Sequence, residues 1–359
     1  MALSVIGIMS GSSLDGLDMA HCLFDEVAGK MEWSILEART IPFTDSWKKQ
    51  LQTANTLQGF DLMQLDAQFG IFIGEEVEAW MEEKKIKADL IASHGHTVFH
   101  EPGLHFTTQV GSGAQIAAIT KLDTITDFRQ ADVAHGGQGA PLAPVADRDL
   151  FSGYDGYLNL GGIANISIQL PDQNWKAWDI GPCNQALNFL AGKKGLPFDE
   201  GGKVASAGRI IPEIVEQLKK YFPPTSGNAF SLSNANVQKT WLDDLEHSHV
   251  NVEDLLASTT EAIVQLILDH LVAVRKTPAK ILVTGGGAHN SFLFQQLNNY
   301  GKNKFYTFDK PADLLIDFKE SLLMAYLGYL SFSSKPFGIN FITGAAHDSI
   351  GGAYHKAIR

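Results

Sequence analysis

Glycine placement constrains this chain more than any other feature. The 359 residues include 34 glycines, and they gather at Gly7–Gly16, Gly111–Gly113, Gly136–Gly139, Gly161–Gly162, Gly201–Gly202 and Gly285–Gly287. Several clusters follow a short β-branched run, the strand-then-glycine pattern of α/β ligand-binding loops. Leu3–Met9 predicts a strand, Leu17–Asp25 its return and Met31–Thr40 a third strand. Helices are expected around Asp45–Thr56 and Asp61–Lys85. A buried strand at Asp89–Ser93, another at Leu104–Val110, a helix at Ser112–Lys121 and a strand at Thr124–Asp127 follow. The same order restarts at Tyr157–Leu160, with a turn at Gly161–Gly162 and strands at Ile163–Leu170 and Trp175–Ile180. Helices at Asn184–Ala191 and Glu253–Val274 come next, then a strand at Lys280–Thr284 and helices near Ser291–Tyr300 and Phe318–Phe332. Two such openings, each continued by α/β units, predict a duplicated two-domain α/β protein. The repeat is one of pattern, since identity between the halves is negligible. The Gly- and Pro-rich stretch Asp127–Pro144 reads as the seam.

Composition removes several classes. Hydrophobic residues are 45% and charged residues 19%, as in globular chains and unlike disordered ones. The net charge of −12 argues against nucleic acid, whose phosphates want clustered Lys and Arg. It leaves room for an anionic small ligand held by backbone N–H groups and a cation. Cys22 and Cys183 do not make a disulfide framework, which suits a reducing compartment. Met1–Met9 lacks a basic leader region and reads as a strand. The apolar stretch Ala262–Val274 is read as too short and too polar to span a bilayer. The expectation is a soluble, cytoplasmic protein with no membrane partner.

Three glycine turns carry the chemistry. In Met9-Ser10-Gly11-Ser12-Ser13-Leu14-Asp15-Gly16, small residues admit close backbone approach, hydroxyls and N–H groups suit phosphate oxygens, and Asp15 or Asp18 suits Mg²⁺. A plain hairpin turn explains Asp15-Gly16 equally well. Leu160-Gly161-Gly162 and Thr284-Gly285-Gly286-Gly287-Ala288-His289-Asn290 supply the other two. Together they fit a nucleotide gripped between two lobes, two turns on the phosphates and the third beside adenine. No P-loop or dinucleotide fingerprint is present. Asp179, in Trp178-Asp179-Ile180-Gly181-Pro182, ends a strand before a helix expected to begin at Pro182. It suits a general base, or a helix cap. The stretch Ser93–Pro102 holds His94, His96 and His100 and reads as a polar loop lining a sugar pocket, with a metal site as the alternative. Arg129 suits a two-pronged carboxylate clamp or a hinge salt bridge. Glu320, on its residue type alone, is a solvated helical glutamate.

Taken together these segments resemble the anhydro-N-acetylmuramic acid kinases. Met9–Asp18 is similar to that family's Met-Ser-Gly-Thr-Ser-x-Asp-Gly-x-Asp opening. Ser93–Pro102, Asp127–Pro144, Tyr157–Ser167, Trp178–Asn184, Phe198–Gly208 and Thr284–Asn290 resemble further blocks in order, Asp127–Leu142 most specifically. The resemblance implies the duplicated two-lobe actin/hexokinase/Hsp70 (ribonuclease H-like) α/β fold with an interdomain cleft. It implies an N-terminal lobe of residues 1–132, rejoined by 336–359, and a C-terminal lobe of 133–335. It implies ATP and Mg²⁺, the intramolecular 1,6-anhydro form of N-acetylmuramic acid as substrate, a role in murein recycling, and a homodimer. Asp179 becomes the catalytic base. Gly11, Ser12, Ser13, Leu14, Asp15, Gly16, Gly161, Gly162, Gly285, Gly286, Gly287 and Asn290 become ATP contacts, with Asp15 as the Mg²⁺ residue. His96, Thr97, Arg129, Asp179 and Glu320 become sugar contacts. The chain departs from the family pattern at Ser12, at His96 where Gln is usual, at Ile180, Cys183 and Asn188, and in a shortened Pro223–Phe230 block. A different sugar or small-metabolite kinase of the same fold, a metal-dependent hydrolase on the histidine cluster, and a non-catalytic nucleotide-binding module are the competing expectations.

Overall fold

The computed structural model describes residues 2–11, 14–170, 174–224, 232 and 237–358. Ser12 and Ser13 therefore lie outside the described residues, as does residues 225–230 of the shortened block.

Each half of the chain builds one sheet, and the two have the same strand order. In the first, β1 (Leu3–Ser10), β2 (Gly16–Val27) and β3 (Lys30–Pro42) form an antiparallel meander, and β4 (Leu90–Ser93) adds parallel to β1. A hairpin of β5 (His96–Glu101) and β6 (Phe106–Val110) stands apart as a two-stranded sheet, and β7 (Asp123–Thr126) then pairs parallel with β4. In the second, β8 (Gly156–Leu160), β9 (Ile163–Gln169) and β10 (Trp175–Pro182) form the meander, with β11 (Ala279–Thr284) parallel to β8 and β12 (Tyr306–Asp309) parallel to β11. The chain finally returns to the first sheet, where β13 (Ala353–His355) lies antiparallel against β7. Numbered within its own sheet, each half reads 3-2-1-4-5 with its second strand antiparallel, and β13 is an addition at one edge. The duplicated pattern expected from the glycine turns is thus a duplicated topology.

Two compact units result: residues up to Ser152 together with Phe318 onward, and Gly153–Asp317. The expected boundaries at 132/133 and 335/336 are displaced for packing reasons. The helix Ala143–Leu150 belongs to the first unit: Trp33 Nε1 donates to Leu150 O at 2.8 Å, and Arg148 donates to Gly338 O and Phe337 O. The helix beyond Phe318 lies directly on β1 and β4. A Cβ on Gly7 would sit 1.9 Å from Ser321 O, and one on Gly328 would meet Ala92 Cβ at 2.5 Å. The chain crosses between the units inside Asp313–Phe332, where Phe318 (φ −116°, ψ 16°) interrupts the helical backbone.

Each core follows from its strand patterns. In the first unit Ile6, Ile8, Leu17, Met19 and Ile91 pack with Phe69, Ile73 and Trp80 of the helix Gly59–Lys84. In the second, Leu158, Ile166, Trp178 and Val283 share a sheet face with the helix Val252–Val274. That helix has 23 residues, longer than the apolar stretch expected, and long and apolar enough to cross a membrane by composition; 83% of its apolar window is buried inside the unit. It is a core helix of its unit. Two local expectations change. Ser93–Pro102 is not a loop but contains β5. Of the two starts expected for the helix after Asp179, Asn184 holds and Pro182 does not, because β10 continues through Pro182.

Candidate active site

In the second unit, register builds the site. Thr284, Asn159, Asn165 and Asp179 are direct partners across β11, β8, β9 and β10, so their side chains share one sheet face. The opposite face carries the core. Between Asp179 and Gly181 the register shifts, leaving Ile180 as a bulge residue. A bulge bends a strand and re-aims the side chains beside it. Ile180 stays buried in the core while Asp179 remains half-exposed. Asp179 Oδ2 accepts the backbone N–H of Leu232 at 2.8 Å. That contact orients the carboxylate.

The glycine turns converge on this row. Gly161 O accepts from Asn184 N at 3.1 Å, and Gly162 O from Cys183 N at 2.9 Å and Gln185 N at 3.1 Å. The turn after β8 is thereby tied to the junction after β10, and Asn184 Nδ2 adds a bond to Leu160 O. The turn after β11 lies against both. Gly285 has φ +82°, and a Cβ there would sit 2.4 Å from Asn159 Oδ1; one on Gly287 would meet Leu160 Cβ at 2.7 Å. Only glycine permits this approach. Asn290 Oδ1 accepts from Leu293 N at 3.0 Å, capping the helix Ser291–Lys302. The structure thus brings Gly161, Gly162, Gly285, Gly286 and Gly287 together around Asn159 and Asn184, two residues without a signal in the sequence reading beyond adjacency to the turns.

In the first unit, the turn between β1 and β2 holds Gly11, Leu14, Asp15 and Gly16. Leu14 N bonds Gly11 O at 3.3 Å with Leu14 at φ +58°, and Asp15 is exposed. Asp18, opposite Met9, accepts from Thr40 Oγ1 at 2.5 Å. Ser10 Oγ lies 3.2 Å from His96 Nδ1, which ties the strand end to β5. Thr97 is exposed. Arg129 is half-buried; its Nε donates to His94 Nε2 at 2.9 Å and its Nη1 to Gly139 O at 2.8 Å. Both acceptors are neutral, so the hinge salt bridge is not what holds Arg129. Desolvation lowers its pKa to about 10, against the charge of Glu320, so it stays cationic at neutral pH. Glu320 is solvent-accessible, yet the protein around it and then the charge of Asp18 raise its carboxyl above the usual range, against Lys319 and Arg129. Glu320 is thus an accessible helical glutamate that feels the charges of Asp18, Lys319 and Arg129. Lys319, its neighbour, pairs with buried Asp147 at 2.6 Å.

The histidine cluster does not make a metal site. Both ring nitrogens of buried His94 are occupied, by Gly95 O at 3.0 Å and Arg129 Nε, and a guanidinium cation repels a second cation there. His100 Nδ1 contacts Thr107 Oγ1 at 3.2 Å. Among the described residues no group of three or more His, Cys, Asp or Glu side chains is arranged to hold a metal ion. A cavity of about 310 Å³ in the first unit is lined by Asp66, His94, Thr107, Asp127 and His355 among others.

Two 3-2-1-4-5 sheets with glycine turns at the strand ends define a duplicated ribonuclease H-like protein of the actin, hexokinase and Hsp70 class. Residues 3–357 match the profile of the anhydro-N-acetylmuramic acid kinase family, and the chain belongs to that family. It is 30% identical over 385 residues to an anhydro-N-acetylmuramic acid kinase of Synechocystis sp., covering 98% of each chain. It is 32% identical over 368 residues to one of Hydrogenovibrio crunogenus, covering 97% of this chain and 96% of that one. Among solved structures, the activator of the 2-hydroxyisocaproyl-CoA dehydratase from Clostridium difficile is similar over 92% of this chain and 96% of that chain, at a TM-score of 0.45 and 10% identity. The fold rests on the strand order and not on that distant likeness.

Proposed function

We propose that this protein is an ATP-dependent kinase that opens 1,6-anhydro-N-acetylmuramic acid with water and forms N-acetylmuramic acid 6-phosphate, a step of murein recycling. The observation that carries the proposal is the setting of Asp179: a bulge-aimed, half-exposed carboxylate fixed by the Leu232 N–H, in a chain of this family. Asp179 takes a proton from water as the water oxygen bonds to the anomeric carbon. The bond from that carbon to O6 breaks, and O6 leaves with the electron pair. O6 then bonds the γ-phosphorus of ATP and ADP departs. Phosphoryl transfer consumes the charge that ring opening creates.

The backbone N–H groups of Gly11–Gly16 and Gly161–Gly162 are assigned to the phosphates, and Gly285–Gly287 with the backbone near Asn290 to the adenosine. Asp15 and Asp18 are hard oxygen donors beside the first turn, the donor chemistry that suits Mg²⁺ held through water. Bound Mg²⁺ would neutralise charge on the phosphates. Arg129 and Glu320, with His96 and Thr97 from β5, are assigned to the sugar. The cytoplasm, where ATP is available, is the assigned compartment, and a homodimer the assigned assembly.

Reaction in ¹⁸O-water tests the chemistry. One solvent oxygen is expected at the anomeric carbon of the phosphorylated product, seen by mass spectrometry. Phosphorylation without solvent oxygen in the sugar would leave a plain hydroxyl kinase and overturn the coupled ring opening.

A further inference from the structure

We infer that His94 is a positioning residue that holds the Arg129 guanidinium in one orientation and so presets the sugar site. This rests on the kinase reading above. His94 follows β4 directly and is buried. Its Nδ1 faces Gly95 O at 3.0 Å; a carbonyl only accepts, so Nδ1 carries the proton. Its Nε2 faces Arg129 Nε at 2.9 Å; that nitrogen only donates, so Nε2 is a bare acceptor. The two partners therefore dictate a neutral ring in a single tautomer.

The backbone supports this arrangement on both sides. Gly95 has φ +69°, and a Cβ there would lie 2.4 Å from Val110 O, so the turn that presents its carbonyl to the ring is open to glycine. Gly139, the second acceptor for Arg129, is held by its own N–H bond to Asp132 Oδ2 at 2.7 Å. Asp132 Oδ1 in turn accepts from Thr343 Oγ1 at 2.7 Å. The glycine block Gly136–Gly139, which had no assigned task, is thereby part of the Arg129 mounting. Two neutral acceptors fix the direction of the guanidinium plane without cancelling its charge. The planar fork keeps donors for an oxygen-rich ligand while losing little freedom on binding it.

The test is steady-state kinetics of the full-length enzyme with the anhydro-sugar and ATP. His94→Leu removes the acceptor and is expected to raise KM for the sugar at least about tenfold, with KM for ATP changed less than about twofold. His94→Gln, whose amide oxygen can accept from Arg129 and whose N–H can donate to Gly95, is expected to recover most of that loss. In an Arg129→Lys background, which lacks Nε, His94→Leu should add no further increase. An equal rise in both KM values, a glutamine variant as impaired as the leucine one, or an additive double variant would overturn the inference. A measurement on the unaltered protein guards against a leucine variant that does not fold. Nitrogen NMR of ¹⁵N-histidine-labelled enzyme should show His94 as the neutral Nδ1–H form at pH 7, and an Nε2–H form or an imidazolium would overturn it. Should the unaltered enzyme fail on the anhydro-sugar, the kinase reading fails alone, and the NMR result still decides the His94–Arg129 geometry.

Discussion

Asp179 and Gly285 show how single residues obtain their properties from neighbours distant in sequence. The carboxylate is aimed by a bulge and bonded to a residue 53 positions away, Leu232. Asp179→Asn keeps the shape and removes the base. Turnover should fall by at least about two orders of magnitude, the usual scale for a general base, with ATP affinity retained. Near-normal turnover would take Asp179 out of the mechanism. Gly285→Ala places a methyl 2.4 Å from Asn159 Oδ1 at φ +82°. The turn must shift, so ATP binding by calorimetry should weaken by about tenfold or more, with secondary structure unchanged by circular dichroism. Unaltered ATP affinity would separate that turn from the nucleotide.

At the scale of elements, close approach between β1 and the helix after Phe318 ties the returning chain to the first unit. Gly7 is the contact point, and a Cβ there would lie 1.9 Å from a helix carbonyl. Gly7→Ala should destabilise the protein by about 2–4 kcal/mol in urea unfolding, since neither backbone can yield locally. A loss under about 0.5 kcal/mol would mean that the helix is not so seated. The strands and turns of both meanders are visible in the sequence because apolar alternation and glycine clusters are local signals. Of the hairpin, β6 is visible as the strand expected at Leu104–Val110, but β5 is not, because His96-Thr97-Val98-Phe99-His100-Glu101 alternates too weakly to reveal a strand. The end of β10 is hidden likewise: proline usually opens a helix, yet Pro182 here pairs with Ile163.

The whole molecule carries an imbalance of histidines. Burial lowers the pKa of His21, His94, His96, His100, His270 and His355, His94 to about 3. Each folded value lies below the unfolded 6.5. Between the two the unfolded chain binds more protons, so this stability is complete above about pH 6.5 and is lost as pH falls. A fully buried group such as His94 contributes about 1.4 kcal/mol per pH unit in that window. Asp66, Asp127 and Glu320 have raised pKa values by desolvation and act in the opposite sense, stabilising in acid and losing that contribution as pH rises. The urea midpoint should therefore be lower at pH 5 than at pH 7, and His94→Gln should narrow the gap. A midpoint independent of pH would show that these rings are not buried neutral.

The amino-acid order by itself determined the two meanders, their glycine turns and the family blocks, because each depends on residues near one another along the chain. Tertiary structure alone decided which unit residues 133–152 and 318–335 join, that Asn290 caps a helix, and that His94 meets Arg129 across 35 positions. Those outcomes depend on which surfaces pack and which donors meet which acceptors, and no local pattern encodes such pairings.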